Sequence, residues 1–398
     1  MPNGNRKLFA SLLRFPKRDV FDCVPLHYLV LKMSGMGCIT PRADVRNGST
    51  ITTFLDVGLF ITNLMLAISM MIYGTFIAHQ HVLQSPVMYI GTKLVNFTCY
   101  GSTIYGLMSC FINRHEIWKF YNEAFTIDGM LHKLGERTNF NRSFVLFVTY
   151  YGLAMGTCII LIVVIYQENM CWMLLLNMSY SYFCLTTFHI VSLTCLDVIW
   201  VRNLRLNRVF QKIGFSSERN LNGATQLTVH GANDILQFRQ IMQIFDLICD
   251  LADKGSFYYG IQMMISMAGS FIYLLFYTFA FTLVIRSVLP FESVFNAGSI
   301  ISYMMFAYNV LIVALFGNSI KQQGKFTSQL IDRAINATNN PGIIEMLEIF
   351  LLQLGHRTPL VTCGLFPFDW TLFFSILSTA ATYIIILLQF ESAGNSTT

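Results

Sequence analysis

Seven stretches of the chain are apolar for long enough to cross a lipid bilayer: about 51 to 79, 86 to 111, 143 to 166, 171 to 201, 258 to 287, 294 to 318 and 369 to 390. A helix rises about 1.5 Å per residue, so about 20 residues span the roughly 30 Å of hydrocarbon. Backbone in lipid must satisfy its own hydrogen bonds, and helices do so within one segment. The runs predict an all-α bundle of seven membrane spans. The fourth is longer than a bilayer requires and predicts a tilt or a projection beyond the membrane. Composition excludes a soluble globular domain, with 54% hydrophobic and 12% charged residues where such domains carry about 25% charge. It also excludes disorder, since 35 Phe, 20 Met and 18 Tyr stand against nine Pro.

Basic residues set which way such a bundle faces, because Lys and Arg are retained on the cytoplasmic side. Eight precede the first span (Arg6, Lys7, Arg14, Lys17, Arg18, Lys32, Arg42 and Arg46), five lie in 112–142, seven in 202–257 and four in 319–368, together 24 of the 26. The loops HQHVLQ, QENM and SVLPFES and the tail ESAGNSTT hold none. The N-terminus is therefore expected in the cytoplasm and the C-terminus outside. A G-protein-coupled receptor has the reverse orientation, and neither a DRY-like triplet after span three nor an NPxxY in span seven occurs. A seven-span G-protein-linked chemoreceptor thus stands only as an alternative function. Arg14, Lys17 and Arg18 break the N-terminal segment, so the first span itself is expected to direct insertion. On this orientation the sequons at Asn47, Asn141 and Asn336 are cytoplasmic, and Asn395 is outside. The net charge of +5 is too modest to imply nucleic acid as a partner.

Patterns for catalysis and metal binding are absent. The ten Cys are scattered without a CxxC and read as small core residues. The eight His form no HExxH, and no phosphate-binding Gly-rich loop or GxSxG elbow is present. No enzyme, metal or cofactor is expected. A small-solute transporter is a further rival, but repeated halves and spans broken by Gly or Pro are not visible. His79 and His81 read as interfacial, and Asp56 and Asp197, near the cytoplasmic ends of their spans, as structural.

Outside the spans, the bulk of the chain is cytoplasmic. In 230–254, Ile241, Ile244, Phe245, Ile248 and Leu251 recur at spacings of three and four, the mark of an amphipathic helix feeding span five. A second such helix starts at Asn340, with Pro341 at its first position, and runs through Ile344, Leu347, Leu351 and Leu354 to Gly355. Their apolar stripes need a partner, either within the chain or on another subunit. The organisation that follows is a cytoplasmic tail (1–50), spans one to six with their loops (51–318), a cytoplasmic helical anchor (319–368), the last span (369–390) and an outer tail (391–398).

The last span carries the most informative pattern, DWTLFFSILSTAATYIIILLQF. At about 100° per residue, Thr371, Ser375, Ser378, Thr382 and Gln389 fall within about 60° of one another. Hydroxyls and an amide in one stripe suit a water-filled path, which Ile385 and Ile386 could close by dewetting. Small Ser and Thr also let membrane helices approach closely, and the stripe alone leaves both readings open.

The segment HRTPLVTCGLFPFDWTLFFSILSTAATYIIILLQF resembles the carboxy-terminal signature of the insect gustatory receptors, above all in Thr382, Tyr383, five apolar residues, Gln389 and Phe390. That resemblance implies a plasma-membrane channel of taste neurons, opened by a small-molecule tastant and passing cations. It implies a homo- or hetero-tetramer with other gustatory receptor subunits, the last span of each lining one central pore. Gln389 and Phe390 then form the gate region, with Ser375, Ser378 and Thr382 lining the path below. The family's ligand pocket lies in the outer halves of spans two to six. Polar or aromatic residues at that depth are Tyr89, Lys93, Trp172, Asn177, Tyr180, Ser181, Tyr277, Asn296, Ser299 and Tyr303. They suit a small polyhydroxylated or heteroaromatic ligand. Tyr89 and Trp172 also fit an interfacial aromatic belt, Asn177 a helix-to-helix bond, and Lys93, about 12 Å into its span, a side chain snorkelling to the headgroups. Sugar receptors of the family carry Glu straight after the Thr-Tyr pair. Here that position is Ile384, which leaves a bitter compound or a fructose-type sugar.

Overall fold

The computed structural model describes residues 30–37, 40–41, 50–77, 86–136, 141–167, 172–214, 232–285 and 297–395. Apart from a two-residue antiparallel pair, Thr40–Pro41 with Thr50–Ile51, the described elements are helical. They are α1 (Phe54–Ile72) with a π-helical turn (Tyr73–Ile77), α2 (Pro86–Ile112), α3 (Arg114–Lys133), α4 (Asn141–Gln167), α5 (Trp172–Gly214), α6 (Ala232–Ile285), α7 (Ala297–Ala337), α8 (Pro341–His356) and α9 (Trp370–Asn395). All seven apolar runs are helices, namely α1, α2, α4, α5, α6, α7 and α9. Five of the described helices are long and apolar enough by composition to cross a membrane, in α1, α5, α6, α7 and α9.

Three helices overshoot the bilayer. With 43, 54 and 41 residues, α5, α6 and α7 are about 65, 80 and 60 Å long. The excess of each lies at the end rich in Lys and Arg, where α3 and α8 pack against it. The helix expected over 230–254 is thus the opening part of α6, continuous with span five. Its five apolar residues are completely buried. Likewise α7 runs unbroken through residue 318. In α8, Asn340 caps the first turn by accepting a hydrogen bond from the Gly342 amide at 3.1 Å, with Pro341 at the first position. Its buried stripe is Ile343, Leu347, Phe350 and Leu354, and Ile344 and Leu351 flank it half-buried. Phe350 sets its ring edge against Phe245 of α6 at 5.4 Å between centroids.

One core runs from the membrane region into this basic bundle without a break. Its centre is α5, in which every residue from Cys184 to Ile199 is buried. Within it lies an ionic clamp. Asp128 of α3 accepts from Arg202 at 2.5 Å and from Arg205 at 3.1 Å, two residues that share one face of α5. Arg202, fully buried, also donates to the Ala124 and Val198 carbonyls at 2.9 and 2.7 Å. Further pairs tie Lys212 of α5 to Glu136, just past the end of α3, and Lys254 of α6 to Glu123 of α3. At the foot of α1, Thr53 and Asp56 form a capping box, and Asp56 pairs with Lys32 at 2.7 Å.

Removing one partner of a buried ion pair costs about 3–5 kcal/mol, because the other charge stays behind. Asp128→Ala is therefore expected to lower the thermal midpoint of the detergent-solubilised protein sharply in fluorescence-detected size exclusion. Asp128→Leu combined with Arg202→Met and Arg205→Met should regain most of the loss.

Candidate pore and ligand site

Between α8 and α9 the chain makes a tight turn that seats the last helix. The Phe368 amide donates to the Val361 carbonyl and the Cys363 amide to the Phe366 carbonyl, each at 3.2 Å. Two glycines receive this turn. A Cβ at Gly260 of α6 would lie 2.3 Å from the Thr362 carbonyl oxygen, and one at Gly317 of α7 only 1.7 Å from that of Phe368. The Thr362 amide donates to the Ser256 hydroxyl at 3.0 Å. Arg357, where the turn begins, bonds Asp250 and Asp253 of α6 at 2.6 Å each.

Asp369 ends the turn and starts α9. One carboxylate oxygen accepts from the Thr371 and Leu372 amides at 3.0 and 3.4 Å, capping the helix, and the other from Lys321 of α7 at 2.7 Å. Burial works to raise the proton affinity of this carboxyl, but Lys321 and the two amides outweigh it and hold Asp369 below the usual carboxylate range.

Beyond this foot α9 leaves the body of the subunit. Trp370–Phe390 is apolar enough to span a membrane, yet its apolar window has no buried residue. Ser375, Ser378, Thr382 and Gln389 stand exposed along one face, beside Ile385, Ile386 and Phe390. The Thr382 hydroxyl gives its proton to the Ser378 carbonyl at 3.1 Å. What it presents outward is an oxygen with free lone pairs.

At the opposite end of α6 and α7 the ligand candidates divide. Tyr277 and Tyr303 meet at 5.0 Å between ring centroids, and the Tyr303 and Thr278 hydroxyls lie 3.4 Å apart. Tyr273 extends the group, stacked on Phe306 at 4.2 Å and beside Tyr277 at 6.0 Å. Tyr89 and Lys93 form a separate pair, the ammonium 4.3 Å from the ring centroid. Val95 of α2, like Tyr273 and Leu274 of α6, packs on the buried cluster of Cys99, Leu185 and Phe306, and Lys93 points about 200° away from it. Asn96, about 60° from Lys93, bonds the Gly74 carbonyl of the π-helical turn at 3.3 Å. This pair therefore faces the α1 side. Tyr180 also turns to α1, donating to the Asn63 carbonyl at 2.9 Å. Trp172, Asn177, Ser181 and Ser299 lie on α5 and α7, with side chains outside the described residues, as is Asn296 altogether.

Sequence reading passed over Tyr273, Thr278 and Phe306, although Tyr273 sits one turn from Tyr277. It also missed two buried polar contacts, Ser266 with His189 at 3.0 Å and Tyr150 with Asn309. No local motif marks either, since their partners are far apart in sequence.

The profile of the 7tm Chemosensory receptor family matches residues 24–394. The chain belongs to this family, and its relatives are insect gustatory receptors, as the signature in α9 predicts. It is 30% identical over 172 residues to putative gustatory receptor 28a of Drosophila melanogaster, covering 40% of this chain and 38% of that protein. For putative gustatory receptor 28b the figures are 29% over 161 residues, 39% and 34%. The matched region thus spans less than half the length of these relatives. In fold it is similar to the insect olfactory receptor OR5 from Machilis hrabei, solved in complex with eugenol, with a TM-score of 0.66 at 11% identity over 92% of this chain and 97% of that one.

The two roles of Asp369 separate by substitution. Asp369→Asn keeps a capping oxygen but loses Lys321, whereas Asp369→Ala loses both and should cost about 0.5–2 kcal/mol more. A lowered carboxyl contributes stability above its ordinary pKa and loses it as pH falls through the folded value. Between about pH 5 and 8 the contribution of this pair should therefore be constant, with no pH dependence of the wild-type thermal midpoint arising from it, and the Asn variant should lie below wild type throughout.

Proposed function

We propose that the protein is a subunit of a tastant-gated, cation-passing channel of the gustatory type, a homo- or hetero-tetramer whose α9 helices surround one pore. The observation that carries this reading is the exposure of α9, a span its own subunit leaves uncovered beyond the foot. Lipid suits Phe374 and Leu377, but it is a poor neighbour for Ser375, Ser378, Thr382 and Gln389. Facing a shared axis, those groups line a hydrated path, with Ile385, Ile386, Gln389 and Phe390 at its constriction.

The N-terminus and the basic bundle of α3, α8 and the extensions of α5, α6 and α7 lie in the cytoplasm, where the bundle anchors the subunits. The tastant is a bitter compound or a fructose-type sugar, held outside by stacking and hydroxyl contacts at Tyr273, Tyr277 and Tyr303. Lys93 and Tyr89 line a different face of the outer half. The tyrosines and the seat of the pore helix belong to the same two helices. A ligand that changes the spacing of α6 and α7 at Tyr277 and Tyr303 thereby shifts the turn on Gly260 and Gly317.

Whole-cell recording from cells expressing this chain, with sugars including fructose and bitter alkaloids applied outside, tests the reading. A cation current starting within milliseconds, independent of nucleotide in the pipette and altered by Gln389→Leu and Phe390→Ala, is expected. Tyr303→Ala should raise the half-effective ligand concentration roughly 2- to 12-fold, the worth of one aromatic pair. A slow, nucleotide-dependent response, or currents indifferent to both pore substitutions, would overturn it.

A further inference from the structure

A cavity of about 160 Å³ opens between α6, the turn that precedes α9, and the foot of α9. Met264, Met267 and Phe271 of α6 form one wall, Phe366 and Phe368 of the turn a second, and Ile376 of α9 a third. Its other lining residues are Ala268 and Leu372, so no lining side chain carries a hydrogen-bonding group beyond the weakly accepting thioethers. Water held inside a protein makes about three hydrogen bonds to polar partners, and this space offers none of that kind.

We propose that the cavity binds a small apolar aromatic molecule, a single ring with at most short alkyl substituents, which enters from the membrane. The size fits, since an apolar cavity of about 150 Å³ stays dry and accepts benzene. The walls fit as well. Three phenylalanines offer edges and faces for offset stacking, and two thioethers offer sulfur contacts to a ring. A polar tastant would lose hydrogen bonds to water and gain none here, so the chemistry differs from that of the tyrosine group. Met267 lies ten residues, about 15 Å, from Tyr277 along α6.

An occupant touches α6, the turn and α9 together, and so favours the arrangement in which these three enclose it. Its effect on current rests on the channel reading; its binding does not.

The experiment is a fluorobenzene titration of the purified full chain in lipid nanodiscs, followed by ¹⁹F saturation-transfer NMR. Saturable binding, displaced by benzene, is expected. Ala268→Leu and Leu372→Phe each fill the space and should weaken binding at least tenfold, whereas Ile159→Ala, on an exposed face of α4, should leave it unchanged. Two filling variants keep the test decisive if one of them does not yield monodisperse protein. Absence of saturable binding would overturn the proposal, and so would equal binding in the filling variants, which would place the ring elsewhere on the protein. Binding that disappears as the lipid-to-protein ratio is raised would overturn it in favour of an acyl chain.

Discussion

Taking a carboxylate and a guanidinium out of water costs several kcal/mol per ion, and only close, hydrogen-bonded pairing offsets it. Asp128 with Arg202 and Arg205 meets that condition. Both carboxylate oxygens are engaged, and Arg202 also donates from its other two nitrogens to backbone carbonyls of α3 and α5. Such an arrangement tolerates little sliding, because a shift of α3 by one residue would strand three buried charges. An apolar interface would lose only part of its contact area. The clamp thus fixes α3 against α5 in one register, and α5 is the most buried of the long helices. What packs on α5, including α6 and α7, inherits that reference.

Long continuous helices then carry position across the molecule. From Tyr277 to Gly260 along α6 is 17 residues, about 25 Å, and from Tyr303 to Gly317 along α7 is 14, about 21 Å. Between these points the two helices are bound into the same core, so a change at one end has few ways to dissipate. At the other end the turn is held by contacts that admit no slack. The glycine notches let backbone meet backbone, and any added atom at either would overlap a carbonyl oxygen. Packed interfaces of this kind tend to switch between discrete arrangements and deform little between them.

How much of this was legible beforehand follows from which constraints are local. The seven helices were readable because a bilayer imposes a length and an apolar composition on each one separately. The stripe of 241–251 was readable because helical period and burial coincide there. The clamp was not. Counted by segment, Arg202 and Arg205 look like loop charges that set orientation, and nothing near them names a carboxylate more than 70 residues earlier as their partner. Depth in the membrane pointed to Tyr277 and Tyr303, but depth says nothing about azimuth. Whether Lys93 joins those tyrosines depends on which face of α2 meets α6, and Gly91 decides it, since a Cβ there would lie 2.2 Å from the Phe276 ring. In α8 the period was right and Leu347 and Leu354 are buried as expected, but Ile343 and Phe350 complete the stripe in place of Ile344 and Leu351. Pattern alone does not separate Ile343 from Ile344 when both are apolar.

Stability in this chain is graded toward the region proposed to open. The centre of α5 is almost wholly buried, α1 is covered on one side only, and α9 is held chiefly at its foot. With Asp369 fixed by two amides and Lys321, a small tilt or rotation at the foot grows along the following 20 residues, about 30 Å. The largest displacement falls at Gln389 and Phe390, where the fewest contacts oppose it. These two residues project about 100° apart, so in the proposed channel a rotation well short of half a turn would exchange an aromatic ring for an amide at the axis. The stripe below them is neutral and presents hydroxyl oxygens such as that of Thr382. In the proposed pore cations would meet lone pairs there and no carboxylate, which favours weak discrimination among them over strong selection of divalent ions.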